Sequence, residues 1–98
     1  MHMADYRIDC VTKPHRNSPH EHITHVGGQN PNGVGRWEDT VPNVVRFIET
    51  KQHRFYTREG NASAWVLVRT SPAGRKFLQT CADGIWKDNL LALNECTV

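Results

Sequence analysis

The feature that most constrains this fold is a strand–turn–strand pattern at residues 65–78, which read WVLVRTSPAGRKFL. Side chains alternate between the two faces of a strand, so Trp65 and Val66 point in opposite directions. Both are large and apolar, which is typical of a strand at the centre of a sheet. Pro72 presets φ for a turn, and Gly74 tolerates a positive φ. The pattern therefore predicts a central β-hairpin.

Further strands must pair with this hairpin, because an isolated hairpin is marginal in water. Alternation predicts one strand at residues 5–13 and a shorter one at residues 22–26, joined as an antiparallel hairpin. Another strand is predicted at residues 54–58. Residues 29–35 are rich in Asn, Gly and Pro and predict an irregular loop, the expected place for contacts with a ligand. Residues 89–93 predict a short buried strand or a single helical turn.

One helix is predicted within residues 37–51, with Asp39 or Thr40 as its N-cap. Its apolar residues recur at helical spacing and form one stripe: Val41, Val44, Val45 and Ile48. This stripe is expected to cover the sheet. The fold class is therefore α+β: a single domain with an antiparallel sheet of about five strands, in the order ββαβββ, and one helix packed on a face.

The length of 98 residues is enough for one modest core, and we expect the domain to span residues 4–98. Residues 1–3, MHM, look like a cloning remnant or a disordered start. No apolar run approaches the roughly 20 residues that span a bilayer, and the N-terminus lacks the apolar centre of a signal peptide. We therefore expect a cytoplasmic protein without a membrane partner.

The three cysteines, Cys10, Cys81 and Cys96, are an odd number and include no CxxC pair. This argues against a disulfide scaffold. Free cysteine is among the most buried residue types, so the sequence predicts buried, reduced thiols.

Several short motifs follow one another in a recognisable order: HITHVGG at 22–28, Trp37, Ile48-Glu49, Phe55-Tyr56, GRKFLQT at 74–80, ADG at 82–84 and DNLLAL at 88–93, with Cys96 behind them. The order resembles a family of small bacterial proteins catalogued as a domain of unknown function, number three-eight-nine-two of that series. The resemblance covers residues 6–96. It departs at Asn94, where a proline is expected, and at residues 14–22, which look longer than usual. It implies no activity, cofactor, substrate or catalytic residue.

The middle of the chain is basic. Residues 51–76 contain six cationic side chains and one acidic side chain, a net charge of +5. Cations interleaved with aromatic rings are the ingredients of a surface that binds single-stranded nucleic acid. The candidate residues are Arg54, Tyr56, Arg58, Trp65, Arg69, Arg75 and Lys76. Whether they share one face depends on strand register, which the sequence leaves open. The simpler alternative is a solvated positive face with the aromatic rings in the core.

Histidines clustered near a cysteine suggest a second possibility, because imidazole and thiolate are ligands that zinc prefers. The candidates are His20, His22, His25 and Cys10. His25 has the opposite parity from His22 on a strand, which weakens the case. The alternative is a polar loop and a strand with one packed histidine.

Catalysis has the weakest support, because the chain contains no nucleophile elbow, phosphate-binding loop, GxGxxG or HExxH motif. We therefore expect a non-enzymatic binding or regulatory module without a cofactor, with a protein or another macromolecule as its partner. A nucleic-acid-binding domain is the first alternative and a His/Cys metal protein is the second. The oligomeric state stays open.

Overall fold

The computed structural model describes residues 4–15, 17–31 and 33–96, so the proposed cloning remnant at residues 1–3 lies outside the described residues. Within these ranges the chain forms nine strands, one α-helix and a 3-10 helix. In chain order they are β1 (Ala4–Arg7), β2 (Cys10–Thr12), the 3-10 helix (His20–His22), β3 (His25–Gln29), β4 (Arg36–Thr40), α1 (Val41–Glu49), β5 (His53–Glu59), β6 (Ala62–Thr70), β7 (Lys76–Ala82), β8 (Ile85–Lys87) and β9 (Asn94–Glu95).

The strands form two sheets. One has five strands in the order β1-β5-β6-β7-β8, and the other has four in the order β4-β3-β2-β9. Both sheets are mixed, since β1 runs parallel to β5 and β2 runs parallel to β9. The predicted α+β class is confirmed, but the prediction of a single antiparallel sheet in the order ββαβββ is wrong.

The strand predicted at residues 5–13 is divided between the two sheets. The amide of Ile8 donates to the carbonyl oxygen of Tyr56 at 2.8 Å, and the next amide, Asp9, donates to the carbonyl oxygen of Gly27 at 2.9 Å. The chain thus leaves β5 and joins β3 between two consecutive residues. The sequence pattern alternates across this point, which is why it suggested one uninterrupted strand, but in the structure Ile8 and Val11, which have opposite parity, both lie in the core.

The central hairpin and its turn are confirmed. β6 and β7 pair antiparallel from Trp65 opposite Cys81 to Thr70 opposite Lys76, and the predicted strand at 54–58 lies within β5. The amide of Gly74 donates to the carbonyl oxygen of Ser71 at 2.8 Å and closes the turn.

The predicted helix is confirmed: α1 starts at Val41, directly after one of the two expected caps, and Trp37 belongs to strand β4. Thr40 is the N-cap, and its hydroxyl accepts a hydrogen bond from the amide of Asn43 at 3.3 Å. Val41, Val44 and Val45 are buried, so the apolar stripe covers the five-stranded sheet as predicted.

Two shorter segments differ in detail from expectation. The strand predicted at 22–26 is replaced by the 3-10 helix and by β3, although the pairing of β2 with β3 is antiparallel as expected. Residues 89–93 form a single helical turn, closed by hydrogen bonds such as that from the amide of Leu91 to the carbonyl oxygen of Asp88 at 3.0 Å. This was the second of the two alternatives.

The core lies between the two sheets and α1. Its buried members come from every layer: Ile8, Val11, Ile23, Val26, Val41, Val44, Val45, Phe55, Val66, Leu78 and Leu90. In the described part of the chain, no helix is long and apolar enough to cross a bilayer.

The prediction of three reduced thiols is wrong for two of them. Cys10 and Cys96 form a disulfide, and Cys81 is free. β9 lies beside β2 in parallel, with Asn94 opposite Cys10, and this pairing brings Cys96 to Cys10 across 86 residues of sequence. The count of cysteines could not reveal this proximity, because it arises from pairing between the two ends of the chain.

Candidate functional site

The register of the five-stranded sheet brings the basic and aromatic residues onto one face. Tyr56 lies opposite Trp65, and Trp65 lies opposite Cys81, which in turn faces Trp86. Residues directly opposite in a ladder project to the same side of the sheet. We call this side the outer face; it carries Asp5, Arg7, Arg54, Tyr56, Arg58, Trp65, Leu67, Arg69 and Trp86. The other side of the same strands holds Phe55, Val66 and Leu78 in the core.

The outer face exposes large apolar surface. Trp65 is 43% exposed, Trp86 is 41% exposed and Leu67 is 39% exposed. The rings of Tyr56 and Trp65 meet edge to face, with centroids 6.1 Å apart. Adjacent large apolar side chains are rarely left exposed on a sheet, because their burial would stabilise the fold. They are instead available to a partner.

Two arginines lie against these rings. The Cζ atom of Arg54 is 4.6 Å from the ring centroid of Trp65, and that of Arg69 is 4.4 Å from the ring centroid of Trp86. Both distances are within the range of cation–π attraction. The side chain of Arg69 also donates to Oε1 of Gln79 at 2.8 Å. The guanidinium planes are thereby held close to the sheet.

The charge of the outer face is positive. Its arginines are Arg7, Arg54, Arg58 and Arg69, and its one acidic residue is Asp5. Asp5 accepts two hydrogen bonds from Arg54, at 2.8 and 3.0 Å. Since both side chains are about half exposed, this pair is worth roughly 1 kcal/mol or less. A phosphate group could therefore replace the carboxylate at small cost.

A depression of about 290 Å³ lies beside Trp65 on this face. It is lined by Asp5, Tyr56, Ser63, Ala64 and Trp65. Its walls combine two aromatic rings with polar groups, which suits a flat polar molecule lying on the sheet.

Five of the seven residues predicted for a nucleic-acid surface lie on the outer face, and two do not. Lys76 has the opposite parity on β7, and its Nζ donates to Oε2 of Glu49 on α1 at 2.7 Å. Arg75 belongs to the turn before β7 and lines a cleft with residues of α1, including Val45 and Arg46. Both cations are therefore placed on the helix side of the molecule.

Asp5, Arg7 and Trp86 belong to the outer face but were not among the predicted residues. Asp5 and Arg7 lie on β1, which pairs with β5 across more than forty residues of sequence. Alternation predicted that the side chains of Arg7 and Tyr6 point to opposite faces of their strand. No local pattern could reveal which strand β1 would join. Trp86 could have been found from the short turn at 83–84, because a tight turn returns the chain beside β7.

The histidines predicted as metal ligands are spread over different elements. His20 and His22 lie in the 3-10 helix, His25 is on β3, and the sulfur of Cys10 is bonded to Cys96. Among the residues that the structure describes, no group of three or more His, Cys, Asp or Glu side chains is placed to hold a metal. The metal hypothesis gains no support from this arrangement.

Comparison with known proteins adds the family. The family described as "Protein of unknown function (DUF3892)" matches residues 7–94 of the chain. The chain belongs to this family. The match confirms the resemblance inferred from the sequence. No curated protein and no solved structure is significantly similar to the chain.

Proposed function

We propose that this DUF3892 protein is a non-enzymatic binding module whose outer face binds single-stranded nucleic acid. The observation that carries the proposal is the register of Tyr56 opposite Trp65, which places exposed rings and arginines on one side of the sheet. Every base has a π face, so stacking on such rings tolerates any sequence. Arginines beside the rings can contact the phosphates that connect stacked bases.

The outer face favours a nucleic acid over an uncharged protein surface because its charge and its rings are interleaved. Arg54 and Trp65 are in contact, and so are Arg69 and Trp86. A single strand offers the same alternation of flat apolar bases and negative phosphates. The carboxylates of an acidic peptide could pair with the arginines, but they would leave the tryptophans without stacking partners.

The family resemblance supports a bacterial protein as part of this proposal, and the location that we propose is the cytoplasm, where single-stranded RNA is abundant. Disulfides are rare in the cytosol. The outer face contains neither Cys10 nor Cys96, so the proposed binding surface does not depend on the redox state of this pair.

The first test is binding of fluorescein-labelled oligouridine and oligodeoxythymidine, followed by anisotropy at several salt concentrations. The four arginines and one aspartate of the outer face have a net charge of +3, which can neutralise about three phosphates. Each neutralised phosphate of a single strand releases about 0.7 counterion. Raising the salt from about 50 to about 200 mM should then weaken binding about 20-fold. Binding that is absent, or that does not change with salt, would overturn the proposal.

The second test separates the outer face from the basic sequence as a whole. Trp65→Ala should weaken binding about 5- to 100-fold, the range measured for loss of one stacked base. Arg69→Ala should also weaken binding, whereas Arg75→Ala, which removes the same charge from the helix side, should have a much smaller effect. Equal losses from Arg69→Ala and Arg75→Ala would show that the outer face is not the site.

A further inference from the structure

One row of side chains on the outer face crosses all five strands of its sheet. Successive partners in the ladders are Arg7, Tyr56, Trp65, Cys81 and Trp86. The row begins with a cation on β1, continues with two rings in contact and ends with a third ring on the edge strand β8. A chain that lies along this row therefore meets the rings at intervals set by the strand spacing.

The two tryptophans of this row are widely separated. Cys81 lies between them in the ladder, and residues opposite each other in antiparallel strands have Cα atoms about 4.5–5.5 Å apart. The Cα atoms of Trp65 and Trp86 are therefore about 9–11 Å apart. Neighbouring bases in a stacked strand are separated by about 3.4 Å. A stacked pair of neighbouring bases thus covers only part of the distance between the two tryptophans.

Each of these tryptophans has one ring face occupied by an arginine. The Cζ atom of Arg54 lies over the ring of Trp65 at 4.6 Å from its centroid, and that of Arg69 lies over the ring of Trp86 at 4.4 Å. An indole ring has two faces, so each tryptophan offers its other face to one base. The arginine beside it can contact the phosphate next to that base. The outer face thus contains two similar subsites, each with one ring and one cation, which we call the Trp65 subsite and the Trp86 subsite.

A strand that occupies both subsites must unstack its bases. A base within a stacked run contacts neighbours on both of its faces, whereas a subsite covers only one face. Purines have larger rings than pyrimidines and stack more strongly with one another, so a purine run loses more stacking on binding. Preferences of this kind come from stacking strength and backbone flexibility and need no contacts to base edges.

We propose that the outer face prefers pyrimidine-rich single strands, and that one strand occupies the Trp65 and Trp86 subsites together. This preference rests on the proposed function and adds the class of nucleic acid that the site selects. Uridine-rich RNA and thymidine-rich DNA share the required chemistry, which is a flexible chain of weakly stacked bases. A duplex does not fit, because its bases have no free face along its length.

The experiment compares oligouridine with oligoadenosine, and oligodeoxythymidine with oligodeoxyadenosine, all about eight nucleotides long, by fluorescence anisotropy at one salt concentration. For each sugar we expect the pyrimidine oligomer to bind about three- to tenfold more tightly. The difference should shrink on warming, because the purine oligomers then unstack before they bind. A larger preference within the RNA pair would identify RNA as the favoured strand, and a larger preference within the DNA pair would identify DNA.

Two outcomes of this comparison would overturn the preference, and they have different consequences for the proposed function. Purine oligomers that bind as tightly as the pyrimidine oligomers, or more tightly, would reject the preference and leave single-strand binding in place. Absence of binding by all four oligomers would reject both.

A matched pair of variants on β8 tests whether one strand occupies both subsites. Trp86→Ala should weaken binding of the oligouridine about 5- to 100-fold, as for the loss of one stacked base. Ile85→Ala also removes an exposed apolar side chain from β8, but this side chain has the opposite parity, so the affinity should not change. Equal losses from the two variants would contradict the Trp86 subsite.

A single nucleotide provides the last control, because it fills only one subsite. Uridine monophosphate is titrated while the indole N–H signal of Trp65, assigned with the variant Trp65→Phe, is followed by NMR. Its affinity at Trp65 should be the same in the wild type and in Trp86→Ala. If Trp86→Ala weakened binding of uridine monophosphate at Trp65 as much as binding of the oligouridine, the variant would act on the Trp65 subsite itself, and occupation of both subsites by one strand would be rejected.

Discussion

At the scale of single residues, His20 shows how its surroundings change an ionisation. It is almost fully buried, with its ring centroid 6.5 Å from that of Phe77. Burial lowers its pKa from the ordinary value. Four charged neighbours act in two directions: Asp88 and Glu21 raise the pKa, whereas Arg69 and Lys13 lower it. Desolvation is the largest of these effects, so the folded protein favours the neutral ring.

Because the pKa of His20 is lowered in the folded protein, we expect the free energy of unfolding to fall in mild acid. Because the pKa of His20 is lower in the folded state than in the unfolded chain, the unfolded state binds more protons below about pH 6.5. Stability from this source is complete above that pH and is lost as the pH falls toward the folded pKa. Urea unfolding between about pH 7.5 and pH 5 should therefore show a smaller decline for His20→Gln than for the wild type.

The control for His20 is His15→Gln, which changes an exposed histidine in the loop before the 3-10 helix. It should leave the pH dependence of the wild type unchanged. If His20→Gln and the wild type lost the same free energy of unfolding over this interval, burial of His20 would not be the cause.

At the scale of elements, the crossing of the chain from one sheet to the other depends on Gly28 in β3. A Cβ atom at Gly28 would lie 2.0 Å from the carbonyl oxygen of Arg7 and 3.3 Å from Nε1 of Trp37. The nearest obstacle is backbone and cannot rotate away. The strand that leaves β5 can approach β3 this closely only because residue 28 has no side chain.

Gly28→Ala should destabilise the protein by about 3 kcal/mol or more, because one of the two sheets must shift. Gly84→Ala is the comparison: it has φ +76° with no atom within 4 Å, so it should cost about 1–2 kcal/mol from the left-handed backbone alone. Chemical denaturation of both variants measures the difference. A cost for Gly28→Ala no larger than that for Gly84→Ala would show that the sheets cross elsewhere.

At the scale of the whole molecule, the two ends of the described chain are joined through β2 and β9. The Cys10–Cys96 disulfide closes a loop of 86 residues, and the preceding turn buries Leu90 completely. A covalent link across most of the chain restricts the unfolded ensemble, which raises stability by a few kcal/mol in the chain-entropy account.

Reduction should therefore lower the free energy of unfolding by about 2–4 kcal/mol. The measurement is urea unfolding with and without dithiothreitol, for the wild type and for the double variant Cys10→Ser/Cys96→Ser. Reductant should destabilise the wild type and have no effect on the double variant. Thiol titration of the unreduced, unfolded protein should detect one thiol, that of Cys81. Three reactive thiols would contradict the disulfide.

Local patterns were sufficient for several parts of this structure. The turn at Pro72–Gly74, the pairing of β6 with β7, the cap at Thr40 and the buried valine stripe all depend on residues a few positions apart. Their physical causes are fixed φ values, alternation of side chains and helical spacing, and all of these can be read within a short window. The facing of Trp65 and Arg69 to one side of β6 follows from the same alternation.

The sequence by itself thus determined the fold class, the hairpin, the helix and the residue types available for a binding surface. Only the tertiary structure decided that β1 joins β5, that β9 joins β2 and brings Cys96 to Cys10, and that Tyr56 and Trp65 share a face while Lys76 does not. These outcomes depend on pairings between distant segments. Many such pairings satisfy the same local periodicity, and packing of the common core selects among them.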